Sequence, residues 1–395
     1  MAHQNNANNT SLTWGGVAAN KGTPDSTTTA HRRALYLKLF SGELFKGFQR
    51  NTIARDLITK RTLKNGKALQ FIFTGRTNSE FHVPGQNILG NTDGAPPVAE
   101  VTIQCDDLLI SSAFVYELDE VLSHYDLRGE ISRKIGYALA ENYDRRIFRA
   151  ITKAARQASP IQKTNFLEPG GTQVRVGTNA AGTDAYDADA LVNAFYDAAA
   201  ALDEKGVSTD GRVGVLNPRQ YYELIQKVGD SGLINRDEQG EARQRGNGIV
   251  EIAGIKIYKS MNIPFFGRFG TKYGGSGATG TGVTDPGNTG SFVSEDMGNQ
   301  AESASGAPDG QRTVNDYGEG NKFDNSCGLI FQKEAVGCVE AIGPQVQVTS
   351  GDVSVIYQGD VILGRLAMGA APLNPAAAVE LIAGIAPNTG VAQAF

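Results

Sequence analysis

Between Leu118 and Ala158 the chain carries the pattern that most restricts how it can fold. Apolar or aromatic residues recur at Ile131, Ile135, Ala138, Leu139, Tyr143, Ile147, Phe148, Ile151 and Ala155. Spacing by three and four residues lines one face of a helix, so a single amphipathic helix is predicted from about Leu127 onward. Asp126 stands where an N-cap belongs. Glu130–Lys134 and Glu141–Arg145 set acid before base at i,i+4 on the side expected to face solvent. Ser159-Pro160 ends the run, because a residue before proline is driven out of the helical region. At 1.5 Å per residue such a helix is roughly 45 Å long, well beyond the mean of about 11–12 residues. It acts as a strut, and the other elements have to attach to it.

The 395 residues exceed the roughly 250–300 at which one core stops growing, so two or more lobes are expected. With 40% hydrophobic and 20% charged residues, the chain has the composition of a soluble globular protein, and no segment approaches the ~18 apolar residues of a membrane span. The first residues, MAHQNNANNTSLTWGG, lack the basic-then-apolar order of a secretory signal. A protein that works in the cytosol where it is made is therefore expected. Cys105, Cys327 and Cys338 are few and odd in number, which suits buried free thiols in a reducing compartment better than disulfides or metal ligation. A net charge of −5 argues against a protein whose main task is gripping nucleic acid, since that grip comes from clustered Lys and Arg. Glycine is over-represented, at 48 of 395 residues against a usual ~7%.

Residues 1–30 are rich in Asn, Thr and Gly and read as an arm, either frayed or ordered by a partner. Leu35, Leu39, Leu44, Phe45 and Phe48 then form an apolar stripe broken at Ser41-Gly42. Leu69, Phe71 and Phe73, and later Val101, Ile103 and Cys105, alternate with neighbours at period two, predicting two half-buried strands. The stretch between them, Gly75–Ala99, carries the turn markers Pro84-Gly85 and Pro96-Pro97. Together they form a long hairpin. A hairpin alone is marginal in water, so it lies either on its own domain or on a neighbouring subunit. Asp107–Glu117 reads as a strand entering the strut.

Beyond Pro160, Asp189-Ala190-Leu191 opens a helix with Leu191, Phe195, Ala198 and Leu202 on one face and Gly206 as its stop. Val213–Leu216 reads as a buried strand. Asn217-Pro218 supplies an N-cap and a first-turn proline for a short helix through Tyr221, Leu224 and Ile225. Ile249–Tyr258 reads as a hairpin turning at Ala253-Gly254. Gly267–Asn325 lacks apolar periodicity and is taken as a surface insertion. Strands are then expected at Leu329–Phe331, Val336–Glu340 and Val346–Val348, with an apolar stretch Val353–Met368 returning to the strut.

Catalytic signatures are missing. Gly275-Ser276-Gly277-Ala278-Thr279-Gly280 matches GxGxxG, yet Thr281–Gly287 cannot open the helix whose N-terminus would hold a pyrophosphate. His3, His31, His82 and His124 are scattered without zinc spacing. Asp184, Asp187 and Asp189 fit helix-start acids better than a calcium loop. No cofactor is expected. One charge pattern suggests a contact between subunits. Lys60, Arg61, Lys64 and Lys67 cluster at the hairpin's root, and Asp106, Asp107, Glu117, Asp119 and Glu120 lie just beyond it. These are either two solvated faces or patches that meet across copies and steer association.

Several short stretches in one order, Ala34–Phe40 with Ser41-Gly42-Glu43, Gly75-Arg76-Thr77 before Pro84-Gly85, His124-Tyr125-Asp126, Leu329-Ile330-Phe331 before Ala335-Val336-Gly337, and Ala367-Met368-Gly369, give the chain a family resemblance. It resembles the major capsid proteins of tailed bacteriophages, and more closely those of the T-seven-like short-tailed phages (podoviruses), over about 34–375. The resemblance implies an α+β protein of the HK-ninety-seven-type fold with no catalytic residues. It implies an N-terminal arm (1–58), an extended β-hairpin loop (59–107), a peripheral domain with a spine helix (108–160), an α/β axial domain (161–331, with the insertion 267–325) and return strands of the peripheral domain (332–395). Copies would form hexamers and pentamers of an icosahedral shell around double-stranded DNA, without sequence-specific binding. That shell would be assembled in the host bacterial cytoplasm on a scaffolding protein, with a portal at one vertex and no membrane. The insertion is longer than the family leads one to expect. Some members of the wider fold crosslink Lys to Asn; Lys64 and Asn65 sit in the right arm but lack an evident partner acid. The alternatives are another virion structural protein, of tail or decoration type, and a small-molecule-binding α/β enzyme.

Overall fold

The computed structural model describes residues 53–75, 81–85, 97–117, 127–163, 166–178, 183–226, 251–264, 315, 317, 326–348 and 358–383. Asp126, the Asp119 and Glu120 acids and most of 267–325, including the GxGxxG match, lie outside them. The strands are β1 (Thr59–Thr62), β2 (Ala68–Thr74), β3 (Val98–Gln104), β4 (Leu109–Tyr116), β5 (Gln162–Lys163), β6 (Phe166–Leu167), β7 (Thr172–Val176), β8 (Arg212–Leu216), β9 (Glu251–Ile252), β10 (Ile255–Lys259), β11 (Ser326–Gln332), β12 (Val336–Val348), β13 (Gly359–Pro372) and β14 (Ala378–Ala383). The helices of two turns or more are α1 (Leu127–Arg156), α2 (Ala188–Glu204) and α3 (Pro218–Gln226). Two units result: the first from the described parts of Leu108–Asn142 and Ile342–Ala367, the second from those of Asn51–Asp107, Tyr143–Ala341 and Met368–Phe395. α1, β12 and β13 each run from one into the other.

In the first unit β4 pairs antiparallel with β13, Leu109 opposite Leu366 through Tyr116 opposite Gly359. Residues paired across strands share a face, and that face carries Val115 and Ile362 onto Ile135 and Leu139 of α1, with Leu109, Ala113 and Ile131 around them. Gly364 makes the approach possible: a Cβ there would stand 2.4 Å from Ile135 Cγ2 and 2.8 Å from Leu139 Cδ1. Ile110, on the opposite face of β4, is exposed, and so are Val346 and Val348 toward the end of β12.

The second unit is built on a six-stranded mixed sheet in the order β7-β14-β11-β8-β10-β9. α2 and α3 cover it with Leu191, Phe195, Ala198, Leu202, Tyr221, Leu224 and Ile225 over Leu216, Ile255, Ile257, Ile330, Val379 and Leu381. The Asp187 carboxylate accepts from Asp189 N and caps α2. At the other end Gly206 sits at φ +70°, Val207 N donates to Leu202 O at 3.0 Å and Gly206 N to Asp203 O at 2.9 Å. This is the αL-terminated closure that glycine allows. Asn217 behaves differently from a simple cap. Its carbonyl accepts from Tyr221 N, but its side-chain amide donates to Ser326 O and Cys327 O of β11.

The sequence reading needs four corrections. The face of α1 expected to be solvated is buried in the helix's second half, where Asp144, Arg145, Arg146, Arg149 and Arg156 are all covered; Glu130 bonds Arg133 rather than Lys134, at 3.1 Å, and Ala138 is exposed. Val336–Glu340 and Val346–Val348 form one strand, β12, running through Pro344. Among the described residues β1 flanks β12 only along Gly337–Glu340, so Pro344 lies where that side of the strand is an edge, the place in a sheet that proline occupies. β14, within the 332–395 range read as return strands of the peripheral domain, meets the last turn of the strut through Glu380 but is built into the six-stranded sheet, between β7 and β11. Finally, Tyr317, within the segment read as a surface insertion, is 1% exposed and among the largest fully buried side chains.

Arg156 at the end of α1 meets Glu380 of β14 through two nitrogens, both at 2.6 Å, and Glu380 also accepts from Gln173 Nε2 at 3.0 Å and from the Ser326 hydroxyl. Glu380→Ala is expected to destabilise the subunit by about 3–5 kcal/mol, since it strands a buried guanidinium. The paired change Arg156→Met with Glu380→Leu should cost less than the single one, as urea denaturation of the unassembled subunit would show.

Candidate functional site

The alternation over 68–74 and 98–104 forms the expected hairpin, Ala68 opposite Gln104 through Thr74 opposite Val98. One face sets Leu69, Phe71, Phe73, Ala99, Val101 and Ile103 against the second unit, and Ile103 is fully buried. Its root rests on β12 at Gly337, where a Cβ would stand 2.7 Å from Ile103 Cδ1. Arg61 lies over the Phe71 ring at 5.4 Å. The other face is bare: Ile72 is 75% and Val98 60% exposed, and Phe81 and Val83, on the stretch toward the tip, are exposed as well. The root thus lies on its own unit, while the apolar outer face has no cover among the described residues.

The charges singled out in the sequence separate. Lys64 and Lys67 are exposed. Lys60 is partly exposed and pairs with Asp56 at 3.6 Å, and Arg61 is engaged with Phe71. Asp107 and Glu117 are exposed. Asp106 is not part of that acidic surface. Its side chain is fully buried, 3.5 Å from the Arg146 guanidinium. It accepts from Tyr317 Oη at 2.6 Å, and from Asn315 N at 3.0 Å and Nδ2 at 2.9 Å. The alternation of β3 runs out at Gln104, so nothing local distinguishes Asp106 from Asp107.

Buried polar groups connect α1 to its surroundings in the second unit. The Asp144 carboxylate accepts from Ile53 N at 2.8 Å and Ala54 N at 3.2 Å. Tyr143 donates to Glu340 at 2.9 Å and lies 3.3 Å from Cys338 Sγ. Arg55 reaches the same Glu340 carboxylate at 3.1 and 3.0 Å. Burial alone would raise the Glu340 pKa, but hydrogen bonds from Arg55 and Tyr143 and the Arg55 charge outweigh it, leaving the carboxyl below its usual range. Burial, reinforced by the Cys338 and Glu340 neighbours, raises Tyr143, and burial pushes the Cys338 thiol up to about 12. These groups are held in one ionisation state, which suits a brace rather than proton transfer.

A cavity of about 440 Å³ lies between the end of β2 and the α2 C-terminus, lined by residues that include Phe73, Glu168, Lys205, Gln332 and Asn374. Lys205 donates to Gly170 O at 2.5 Å and to the Thr172 hydroxyl, tying the end of α2 to the start of β7, and burial lowers its pKa to about 8. Among the described residues no group of three or more His, Cys, Asp or Glu is placed to hold a metal, and no helix is long and apolar enough to cross a membrane. His82 is exposed on the hairpin. The free Cys327 and Cys338 are buried and Cys105 is half-buried.

Comparison with known proteins gives this surface a context. A family model described as Gp10A-like major capsid protein matches residues 71–301, more than half the chain. The major capsid protein of Escherichia phage T7 is 24% identical over 360 residues, covering 88% of this chain and 92% of that protein. Among solved structures, the capsid of the cyanophage P-SCSP1u aligns with a TM-score of 0.66 and 29% identity, over 90% of this chain and 95% of that one. The mature capsid of bacteriophage PhiM1 aligns at 0.59 and 15%, over 87% and 91%.

The Glu340 network implies a pH dependence. A carboxyl with a depressed folded pKa contributes stability that is complete above its unfolded value, here 4.5, and that disappears as pH falls through the lower folded value. Glu340→Gln should therefore lower the urea midpoint of the subunit at pH 7, and the difference from wild type should shrink as the pH falls below 4.5 and through the lower folded value. A difference that persists unchanged at pH 3 would show that the network does not act through the carboxylate.

Proposed function

The chain belongs to the Gp10A-like major capsid protein family, and from that premise we propose how this shell-forming protein of a short-tailed, T-seven-like phage assembles. Its place is the virion capsid and its fold is that of tailed-phage capsid proteins. Copies associate as hexamers and pentamers into an icosahedral shell. The shell is built in the host bacterial cytoplasm on a scaffolding protein, with a portal at one vertex, and encloses double-stranded DNA without reading its sequence. Segments 1–58 and 59–107 serve as arm and extended loop, 108–160 and the return strands of 332–395 as the peripheral domain with its spine helix, and 161–331 as the axial domain, to whose sheet β14 adds a strand.

The observation that supports this reading most directly is the hairpin's bare outer face. Ile72, Val98 and Phe81 expose apolar area worth ~25 cal/mol per Å² on burial, and a neighbouring copy can cover it. Ile110 on β4, and Val346 and Val348 on β12, are further exposed apolar side chains of the first unit that a neighbour can cover. Lys64, Lys67 and Asp107 are placed to steer the encounter, with Lys60 and Arg61 weaker contributors because each already has a partner. Asp106 is excluded by its burial.

The purified protein, with and without scaffold, is expected to give closed uniform shells, or hexamers that close on adding scaffold, by electron microscopy and sedimentation. A stable monomer or dimer under both conditions overturns the reading. Ile72→Asp with Phe81→Asp should leave a folded subunit, judged by circular dichroism, that no longer closes shells. Lys64→Glu and Asp107→Lys should each slow assembly at low salt and matter less at high salt. If neither changes assembly at either salt, the charges do not steer.

A further inference from the structure

The hairpin root is held at two places of different chemistry. One is the apolar seat of Ile103 against Gly337. The other surrounds Gln104, Cys105 and Asp106, where the hairpin ends. Cys105 N donates to Lys67 O at 2.9 Å, closing the root, and Asp106 N donates to Met368 O at 3.0 Å. β13 comes so close here that a Cβ on Gly369 would stand 1.9 Å from Gln104 O. Into this junction the 267–325 segment delivers Asn315 and Tyr317. Asn315 Nδ2 donates to Gln104 O at 2.8 Å as well as to Asp106. Tyr317 Oη donates to Asp106 Oδ2 and accepts from Ala370 N at 2.9 Å, while its ring lies 5.5 Å from the Arg146 guanidinium. Arg149 Nη1 lies 3.5 Å from Tyr317 O. A single hydroxyl thus joins the hairpin's end to β13, and a single amide joins the hairpin's backbone to its last acid.

We propose that Asn315 and Tyr317 are positioning residues that fix the direction in which the hairpin leaves the second unit, coupling the 267–325 insertion to the hairpin. The apolar underside, from Ile103 on Gly337 to Gly75 beside Ile161, resists lifting of the hairpin, but apolar contact is non-directional and sets its angle only loosely. The polar junction supplies the second fixed point. The burial of Asp106 makes that point stiff, because a buried carboxylate that loses its donors leaves a costly unpaired charge. The Tyr317 hydroxyl is held protonated by burial and by the Asp106 charge, so the donor persists across the physiological range. The direct consequence concerns the isolated subunit; its effect on shell geometry rests on the assembly reading above.

The test introduces Tyr317→Phe with Asn315→Ala, and Asn315→Ala alone in case the double variant does not fold. Nitroxide labels at Gln70→Cys on the hairpin and Asp197→Cys on α2, both exposed and both in the second unit, report the hairpin's direction. The expected result is a broadened or shifted label-to-label distance distribution, with amide exchange at Cys105, Asp106 and Ala370 about tenfold faster or more and exchange in β8 and β11 unchanged. An unaltered distance distribution in a folded variant overturns the proposal, and so does acceleration spread evenly over β8 and β11, which would mark Tyr317 as a general stabiliser. In assembly, the variants should give shells of mixed size where wild type gives one. If wild type forms none, the shell reading fails while the distance measurement still decides this one.

Discussion

Burying charge along the second half of α1 is the constraint on which the described structure depends. Apolar side chains tolerate many partners, but a buried carboxylate or guanidinium is stable only where its hydrogen bonds are met. Asp144 is met by the backbone of Ile53 and Ala54, Arg146 by Asp106 and the Tyr317 ring, and Arg156 by Glu380. Each partner is distant in sequence. The helix therefore specifies which parts of the chain come to it as well as supporting them, and a misplaced segment would leave a charge without its counterpart.

The same division separates folding from association. Charged groups that stabilise the subunit lie inside, whereas Ile72 and Val98 on the hairpin and Ile110 on β4 remain outside. Interior charges give specificity without adhesiveness, and exterior apolar residues give adhesiveness that the subunit alone cannot use. A protein that has to be soluble before it joins others of its kind needs both, and Gly337, Gly364 and Gly369 keep the supporting elements close enough for the hairpin and sheet to be held firmly.

What the sequence revealed was whatever has a local period. The strut, the hairpin alternation, the Leu191–Leu202 stripe with its Gly206 stop, and the buried strand at Val213–Leu216 could all be read because their signals lie within a few residues of one another. The class of protein could be read from short stretches in a familiar order. Non-local outcomes could not. Nothing near Arg145 or Arg149 says that their face of the helix is covered, since that depends on elements that pack there from far along the chain. Asp106 and Asp107 are adjacent and chemically identical, and one is buried only because Tyr317 and Arg146 arrive from elsewhere. Tyr317 shares its Gly- and Asn-rich segment with Tyr273, Phe292 and Phe323, and no periodicity picks it out. The sign that could have prompted caution is the combination of an aromatic residue with a side-chain amide two residues before it, in a stretch otherwise poor in both apolar and branched residues.

The placement of β14 bears on when the protein becomes whole. Among the described residues β7, formed by residues 172–176, is joined to the six-stranded sheet only through β14, and Glu380 on that strand completes the pairing of Arg156. During synthesis, when domains fold as their residues emerge, neither condition can be met until residue 383 has left the ribosome. A nascent chain would carry its hairpin long before its sheet is closed, and with α1 still lacking a counter-charge it would hold that hairpin on an unfinished base. Late closure of the sheet thus acts as a clock, withholding a rigid, sociable subunit from the polysome until translation has passed the last strand.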